Sequence, residues 1–333
     1  MKAYTINRYS KKEKFELAQI PEPSVGERDV LVKIHAAGLN PLDSKIKSGA
    51  FKLILPYHFP LVLGHDIAGV VIRVGSSVRR FQVGDEVFAR LSDFRIGGFA
   101  EYISVNEGDL AIKPSNLSME EAASLPLVAL TAWQALVEKM KLQKGEKVFV
   151  QAGTGGVGSF AIQLAKHLGA FVATTVSESN VAMAKELGAD LVIDYRKDDF
   201  EKLLHDYDFV LNSQDSGTLE KSIPILKPGG KVVSISGPPD LEFAKRIGVS
   251  FFLRMVFKLL SSGIRKKAKQ RGVNYSFLFM EASGDQLEKI ASLIQTKKIH
   301  PVLDRVFSFH ELNEAMNYME TGHPKGKVVL KMI

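Results

Sequence analysis

Residues 147–169, KVFVQAGTGGVGSFAIQLAKHLG, constrain this chain more than any other stretch. Lys147 to Gln151 is apolar and β-rich and reads as a buried strand. Gly153, Gly155, Gly156 and Gly158 follow, and a helical pattern then runs from Phe160 to Leu168. In a strand, turn and helix of this kind each glycine has its own use. Gly153 permits the tight turn, Gly155 lets the backbone approach a pyrophosphate, and Gly158 lets the helix pack against the strand. The helix N-terminus meets the phosphate charge. Gly153, Thr154, Gly155, Gly156, Val157 and Gly158 are therefore the expected dinucleotide-binding loop.

Strands and helices alternate downstream of the loop. Strands are expected at 171–176, 191–194, 208–212 and 231–236, and helices at 157–168, 178–187, 198–204 and 216–226. This alternation predicts an α/β fold with a doubly wound parallel sheet and helices on both faces. Residues 1–120 read instead as mostly β, with strands at 30–35, 67–74 and 86–89 and turns at Gly75-Ser76 and Gly84-Asp85. Residues 118–139 read as a helix with Ser118 as its cap and Glu120 and Glu121 in its first turn. After residue 272, a strand at 274–280, a helix at 284–294 and a closing strand at 327–332 read as a return to the first domain. The expected division is a β-rich domain over 1–122 and 273–333, and a nucleotide domain over 123–272.

The chain has no cysteine, which excludes disulfides, thiolate metal sites and a cysteine nucleophile. Its N-terminus has no apolar signal core and no apolar run is long enough to span a bilayer, so a cytoplasmic location is the expectation. The formal charge of +7 is local in origin. Lys245, Arg246, Arg254, Lys258, Arg265, Lys266, Lys267, Lys269 and Arg271 lie between Phe243 and Met280 with no acidic residue among them, which leaves the rest of the chain slightly acidic. That pattern marks a basic helical insertion at about 243–272. It is not a nucleic-acid signature of the whole chain, and it lacks the interleaved aromatics of a single-strand platform. No nucleic-acid partner is expected. Val249 to Leu260 is apolar apart from Ser250, Arg254 and Lys258. Three readings stay open for this segment. It is a lid whose apolar face shapes a substrate pocket, a peripheral membrane contact through residues 245–271, or a solvated helix packed on the protein's own surface.

Six motifs in order carry a family resemblance over nearly the whole chain. They are Ala37-Gly38-Leu39-Asn40-Pro41-Leu42-Asp43, Gly64-His65-Asp66-Ile67-Ala68-Gly69, Gly84-Asp85-Glu86-Val87, the 152–158 glycine loop, Leu187-Gly188-Ala189-Asp190 and Pro228-Gly229-Gly230. The chain resembles the medium-chain dehydrogenase/reductase superfamily, and within it the zinc-independent quinone oxidoreductase and enone (alkenal/one) reductase branch. The resemblance implies a GroES-like β-rich catalytic domain joined to a Rossmann nucleotide domain. It also implies NADP(H) as cofactor, a quinone or α,β-unsaturated carbonyl compound as substrate, and a homodimer.

The alcohol dehydrogenases of that superfamily hold zinc with Cys, His and Cys or Glu. Here the first position matches Asn40, the third falls near Leu127, and only His65 remains. One imidazole does not make a catalytic zinc site, and the four-cysteine structural lobe is missing, so no zinc is expected. Carbonyl reduction calls for a Lewis acid on oxygen. Conjugate reduction needs only hydrogen-bond donors for the enolate charge and a proton for the α-carbon.

The resemblance places Asn40 against the nicotinamide ribose and substrate, where the residue alone would suggest turn chemistry. Lys45 is either a cation holding the developing enolate or a solvated surface lysine. His65 is either a hydrogen-bonded histidine lining the active-site cleft or a proton donor. Phe51 stands where many quinone reductases carry tyrosine, and Tyr57 is the neighbouring candidate for that hydroxyl. Thr131 contacts the nicotinamide end or is a buried hydroxyl bonded back to its own helical turn.

A carboxylate at the tip of the second strand would select NADH. Strand 171–176 ends instead in Thr175-Val176-Ser177, with Glu178 next. Ser177 can bond a phosphate, Tyr195 matches a tyrosine that contacts the 2′-phosphate in quinone oxidoreductases, and Arg196 can supply charge. The lysine expected two or three residues after Ser177 is absent, Ser179 and Asn180 standing there. NADPH is the favoured cofactor. The leading function is a metal-free enone or quinone reductase. The rivals are an NADPH-binding protein with a membrane- or partner-docking role and little turnover, and, more remotely, a zinc alcohol dehydrogenase.

Overall fold

Two units make up the computed structural model, which describes residues 1–332: Met1–Leu130 with Glu281–Ile333, and Thr131–Met280. Both boundaries fall later in the chain than the sequence suggested.

The first unit opens with strands β1 (Lys2–Ile6), β2 (Glu16–Gln19) and β3 (Asp29–Gly38), helix α1 (Pro41–Lys47), and strands β4 (Leu61–Val62), β5 (Asp66–Val74), β6 (Glu86–Arg90), β7 (Tyr102–Asn106) and β8 (Leu110–Ile112). β1 lies between β2 and β4 in a small antiparallel sheet. β3 is the axis of the larger sheet and pairs antiparallel with β5 and β7. Its alternating Val30, Val32 and Ile34 join Ile67, Val71, Val87, Ile103 and Val105 in one buried cluster, which is the inward face of a strand period of two.

Residues 118–139 do not form one helix. Ser118 caps α2 (Met119–Ala123) as expected, its side chain accepting from the Glu121 N–H. The chain then breaks at Ser124-Leu125 before α3 (Pro126–Trp133), because Pro126 has no N–H to donate and disfavours helical backbone in the residue before it. A π-helical stretch, Gln134–Met140, follows α3 and ends at Lys141 in the left-handed region, φ 56°.

The second unit runs β9 (Lys147–Val150), α4 (Gly156–His167), β10 (Phe171–Val176), α5 (Val181–Glu186), β11 (Leu191–Asp194), α6 (Phe200–Leu203), β12 (Tyr207–Asn212), α7 (Ser216–Lys221), β13 (Leu226–Ser234), α8 (Leu241–Arg246), α9 (Phe251–Leu260), α10 (Ser262–Gln270) and β14 (Asn274–Phe277). All adjacent strands are parallel, in the order β11-β10-β9-β12-β13-β14. This is the Rossmann order, with its reversal between β9 and β12. Three expectations need correction. The strand read at 274–280 does not return to the first unit; β14 pairs parallel with β13, from Lys231↔Asn274 to Ser234↔Phe277. The helix read at 216–226 stops at Lys221, three residues before Pro224, and β13 begins at Leu226. The helix read at 178–187 opens as a 3₁₀ turn, Glu178–Asn180.

The chain then re-enters the first unit through α11 (Gly284–Gln295), β15 (Leu303–Ser308), α12 (Leu312–Glu320) and β16 (Lys327–Lys331). β16 pairs antiparallel with β3 and parallel with β15, giving the seven-stranded sheet its far edge. β15 and α12 had no readable sequence signal. Among the described residues no helix is long and apolar enough to cross a membrane.

Candidate functional site

In the second unit, the glycine loop joins β9 to α4 at the C-terminal edge of the parallel sheet, beside the strand-order reversal. The turn itself is carried by Ala152, whose φ is 51°. Gly153 is required for a different reason than the one expected. A Cβ there would lie 2.2 Å from Thr174 Oγ1 on β10, and Gly153 donates its N–H to the Thr175 carbonyl at 3.1 Å. Gly158 packs as read: its Cβ would meet the Ala152 carbonyl oxygen at 2.2 Å, so only glycine lets α4 seat on the loop. Gly155 caps α4 in extended backbone, and a Cβ there would meet nothing nearer than 3.4 Å, so this side of the loop is open to a ligand. Thr154 is buried, and Gly156 and Val157 begin the helix. The loop therefore fits a dinucleotide pyrophosphate.

Ser177, Tyr195 and Arg196 are brought together by strand register. Val176 pairs with Asp194 across β10 and β11, which sets Ser177 beside Tyr195, and the Tyr195 N–H donates to the Val176 carbonyl at 3.2 Å. Tyr195 is exposed, with the Arg196 guanidinium 5.7 Å from its ring centroid. The Ser177 and Ser179 hydroxyls are 3.3 Å apart. Sequence reasoning missed Lys197, whose ammonium pairs with Glu178 at 2.6 Å. The carboxylate next to Ser177 is thereby neutralised, and the partner raises the lysine's pKa above its usual range. A buried polar ladder also went unread. Asn212 donates to Gln151 at 2.7 Å, Gln151 to Ser222 at 2.7 Å, and Ser234 to Asn212 at 2.5 Å, bracing the ends of β9, β12 and β13. Thr131 is buried in α3.

The first unit holds a second polar cluster, built by three adjacent strands. Gly38 pairs with Asp66 on β5 and with Val329 on β16. Asn40 follows as the cap of α1, with Pro41 at the first helical position and Asp43 in the first turn, where its charge suits the helix dipole. Asp43 Oδ2 accepts the Asn40 N–H at 2.9 Å, and Oδ1 accepts the Gly64 N–H at 3.2 Å. His65 Nδ1 lies 2.6 Å from Asp43 Oδ1, with both side chains fully buried. An ionised carboxylate can only accept, so Nδ1 carries the proton and Nε2 faces away from Asp43. Nε2 is buried without a hydrogen-bond partner among the described residues. Asp66 accepts from Asn40 Nδ2 at 2.9 Å, from the Leu127 N–H at 2.8 Å and from Lys327 Nζ at 3.1 Å. Lys327 also donates to Asn40 Oδ1 at 2.5 Å and to the Leu39 carbonyl at 2.8 Å.

Asn40 is thus tied down within this cluster. Its amide protons go to Asp66 and, at 3.4 Å, to the Gly38 carbonyl, which leaves no free donor for a ribose. The physical reason is that buried Asp66 needs every donor it has. Lys45 is exposed in the last turn of α1. The Tyr57 hydroxyl donates to the Asp93 carbonyl, and burial first, then the Asp93 carboxylate, pushes its pKa well above the phenol range. Tyr57 therefore does not stand in for the missing tyrosine as a free acid. Asp66 lies within a quoted motif, but Lys327 had no local signal; only strand pairing brings it in.

The zinc ligand positions do not fit zinc. Asn40 is held by Asp66 and Lys327, Leu127 is apolar, and His65 Nδ1 is taken by Asp43. Among the described residues, no group of three or more His, Cys, Asp or Glu is placed to hold a metal ion.

Fold and site together define a two-unit nicotinamide oxidoreductase. Residues 26–115 match the alcohol dehydrogenase GroES-like domain family and residues 187–330 the family described as zinc-binding dehydrogenase. The chain is 36% identical to the chloroplastic NADPH-dependent alkenal/one oxidoreductase of Arabidopsis thaliana, over 99% of this chain and 79% of that one. It is 32% identical to the mitochondrial NAD(P)H oxidoreductase RTN4IP1 of Danio rerio, over 100% and 92%. The solved quinone oxidoreductase of Coxiella burnetii superposes with a TM-score of 0.86 at 31% identity, covering 100% of this chain and 99% of that one. The chain belongs to the medium-chain dehydrogenase/reductase superfamily, in its quinone oxidoreductase and enone reductase branch.

Proposed function

We propose that the protein reduces the activated C=C bond of enones or enals, or a quinone, with NADPH and without a metal. The observation that carries this reading is the paired set of strand tips in the second unit. A glycine loop open at Gly155 lies beside an edge that presents Ser177, Tyr195 and Arg196 while Lys197 neutralises Glu178. Such an edge suits a 2′-phosphate, and the printed name of the 36%-identical plant relative supports the same cofactor and substrate class.

When bound, NADPH supplies a hydride to the β-carbon of the acceptor. The chain's own groups do the remaining work. The backbone of 153–158 holds the pyrophosphate, the Ser177 hydroxyl and Arg196 guanidinium hold the 2′-phosphate, and Thr131 is assigned to the nicotinamide end. Lys45, exposed and unpaired among the described residues, is the cation assigned to the enolate oxygen. His65 is assigned the proton. Asp43 holds Nδ1, and Nε2 is the nitrogen assigned to exchange a proton with the α-carbon or a water. Asn40, Asp66 and Lys327 position α1 and its neighbours.

The test is oxidation of NADPH, with NADH in parallel, followed at 340 nm against quinones, enals, enones and plain aldehydes, with and without chelator. Turnover of the activated acceptors that ignores chelator is expected. Turnover of plain aldehydes that chelator abolishes would overturn the metal-free reading. Measurable NADPH binding with no turnover would favour the docking-protein reading.

A further inference from the structure

A buried chain of hydrogen bonds crosses the C-terminal ends of β9, β12 and β13, and every donor in it points the same way. The Gly237 N–H donates to Ser234 Oγ at 2.8 Å, and Ser234 Oγ donates to Asn212 Oδ1 at 2.5 Å. Asn212 Nδ2 donates to Gln151 Oε1 at 2.7 Å, and Gln151 Nε2 donates to Ser222 Oγ at 2.7 Å. Ser222 donates to the Thr218 carbonyl at 2.7 Å, which anchors the chain in α7. Gln151, Asn212, Ser222 and Ser234 are each at most 1% exposed. An amide or a hydroxyl both donates and accepts, so each member passes the direction on; a carboxylate, which only accepts, would break it.

The chain holds the turn after β13. A Cβ on Gly237 would lie 2.7 Å from Ser234 Oγ and 2.8 Å from Leu219 Cδ2 of α7, so a side chain there would push the turn off the strand. Ser236 adds a second tie, its hydroxyl donating to the Gln214 carbonyl at 2.5 Å and lying 3.3 Å from Asn212 Oδ1. The turns after β12 and β13 are thereby joined to each other and, through Asn212 and Gln151, to α7.

Strand order says which part of a dinucleotide these turns meet. The glycine loop follows β9, and the Ser177 and Tyr195 edge follows β10 and β11 on one side of it. A cofactor with its pyrophosphate on that loop and its 2′-phosphate on that edge sends its other half across the reversal, over the ends of β12 and β13. We infer that Asn212 and Ser234 are positioning residues for the nicotinamide half of the cofactor. They hold the Ser236-Gly237 turn against which the reacting ring sits, and they leave the adenosine half alone. Both are sealed from solvent, so they act through the turn and not by touching the ring. The inference rests on the proposed cofactor reading. A ring misplaced by a fraction of its own width is enough to slow hydride transfer.

The experiment compares two ligands on the full chain. NADPH is titrated by the fluorescence of its reduced ring, and adenosine 2′,5′-bisphosphate, which has the adenosine half and no nicotinamide, is titrated by calorimetry. Ser234→Ala removes one hydroxyl, and with it the acceptor for Gly237 and the donor to Asn212. Its Kd for NADPH should rise about ten-fold, with loss of the fluorescence gain on binding, while its Kd for the bisphosphate stays within about two-fold of the parent. Ser222→Ala cuts the chain at its α7 end and should give the same pattern at about two- to three-fold. A cooperative thermal melt shows that each variant is folded at the assay temperature. An equal loss for both ligands would make the chain a scaffold of the whole unit and overturn the inference, as would no change for either. A parent that binds NADH more tightly than NADPH would overturn the cofactor reading alone; the comparison repeated with NADH and adenosine diphosphate then decides the inference by the same criterion. A parent that binds neither cofactor overturns both.

Discussion

Asp43 Oδ1 lies 2.6 Å from His65 Nδ1 in full burial, and the far nitrogen of the same ring has no partner among the described residues. One nitrogen is fixed by the fold, and the proposed reaction assigns the proton to the other. His65→Gln should lower kcat by about 100-fold or more while NADPH binding, followed by its fluorescence, stays within two-fold, on the order expected for losing a general acid. An unchanged kcat would remove His65 from the reaction.

Lys327 reaches Asp66, Asn40 and the Leu39 carbonyl from a strand at the other end of the chain. Lys327→Met leaves the buried Asp66 carboxylate without its counter-charge. It should cost about 3–5 kcal/mol in urea unfolding. Adding Asp66→Asn to the same chain should recover part of that loss, because the stranded charge is gone. Two losses that simply add would show that the pair is not coupled.

The two loop glycines separate folding from binding. Gly158→Ala forces a Cβ to 2.2 Å from the Ala152 carbonyl oxygen, and should destabilise the second unit by about 2 kcal/mol or more. Gly155→Ala meets nothing closer than 3.4 Å, so its melting temperature should match the parent while its Kd for NADPH rises about ten-fold. Thermal melts beside fluorescence titrations distinguish the two; equal effects on both would argue against the ligand facing Gly155.

Arg196→Ala removes the guanidinium beside Tyr195, which has no carboxylate partner among the described residues. KM for NADPH should rise by about ten-fold and KM for NADH should hardly move, on the order of one charge-assisted phosphate contact. A parallel rise for both cofactors would place Arg196 away from the 2′-phosphate.

Arg95 binds Asp29 by two hydrogen bonds, at 2.9 and 2.7 Å. That partner, more than any other group, holds the Asp29 carboxyl below its usual range. Its folded pKa thus lies below the unfolded value of about 3.9. The stabilisation is complete above about pH 4 and is lost as pH falls through the folded pKa. Arg95→Gln should cost about 1 kcal/mol at neutral pH, a modest figure because the arginine side chain is 42% exposed and screened. Melting temperatures from pH 3 to 7 should show the parent converging on the variant at the acid end. A constant gap across that range would rule the pair out as its source.

Local chemistry made the nucleotide unit readable. A buried strand, four glycines and an amphipathic helix lie within some twenty residues, and the strand–helix alternation repeats from there, so the parallel sheet and the loop could be placed before any coordinates. Ser177 and Tyr195 were legible for the same reason, as each directly follows a strand. Ala152 was not, because nothing in an alanine announces a left-handed φ; it is held there by what surrounds it. The helix at 118–139 was overdrawn because its apolar period continues across Pro126, and period alone does not weigh a missing N–H.

The sequence by itself determined the class of each unit, the absence of thiol ligands and the position of the glycine loop, since all of these rest on residue type and near-neighbour spacing. Only the tertiary structure decided how the polar groups are spent. Asn40 was expected to face a ribose and is consumed by Asp66 and Lys327. Tyr57 was expected to offer a hydroxyl and gives it to the Asp93 carbonyl. Lys327 was unread and neutralises Asp66. These partnerships depend on the register of β16 on β3 and of β3 on β5, which joins residues nearly three hundred positions apart. A buried carboxylate takes its donors from whatever that register brings within reach, and no local pattern encodes the outcome.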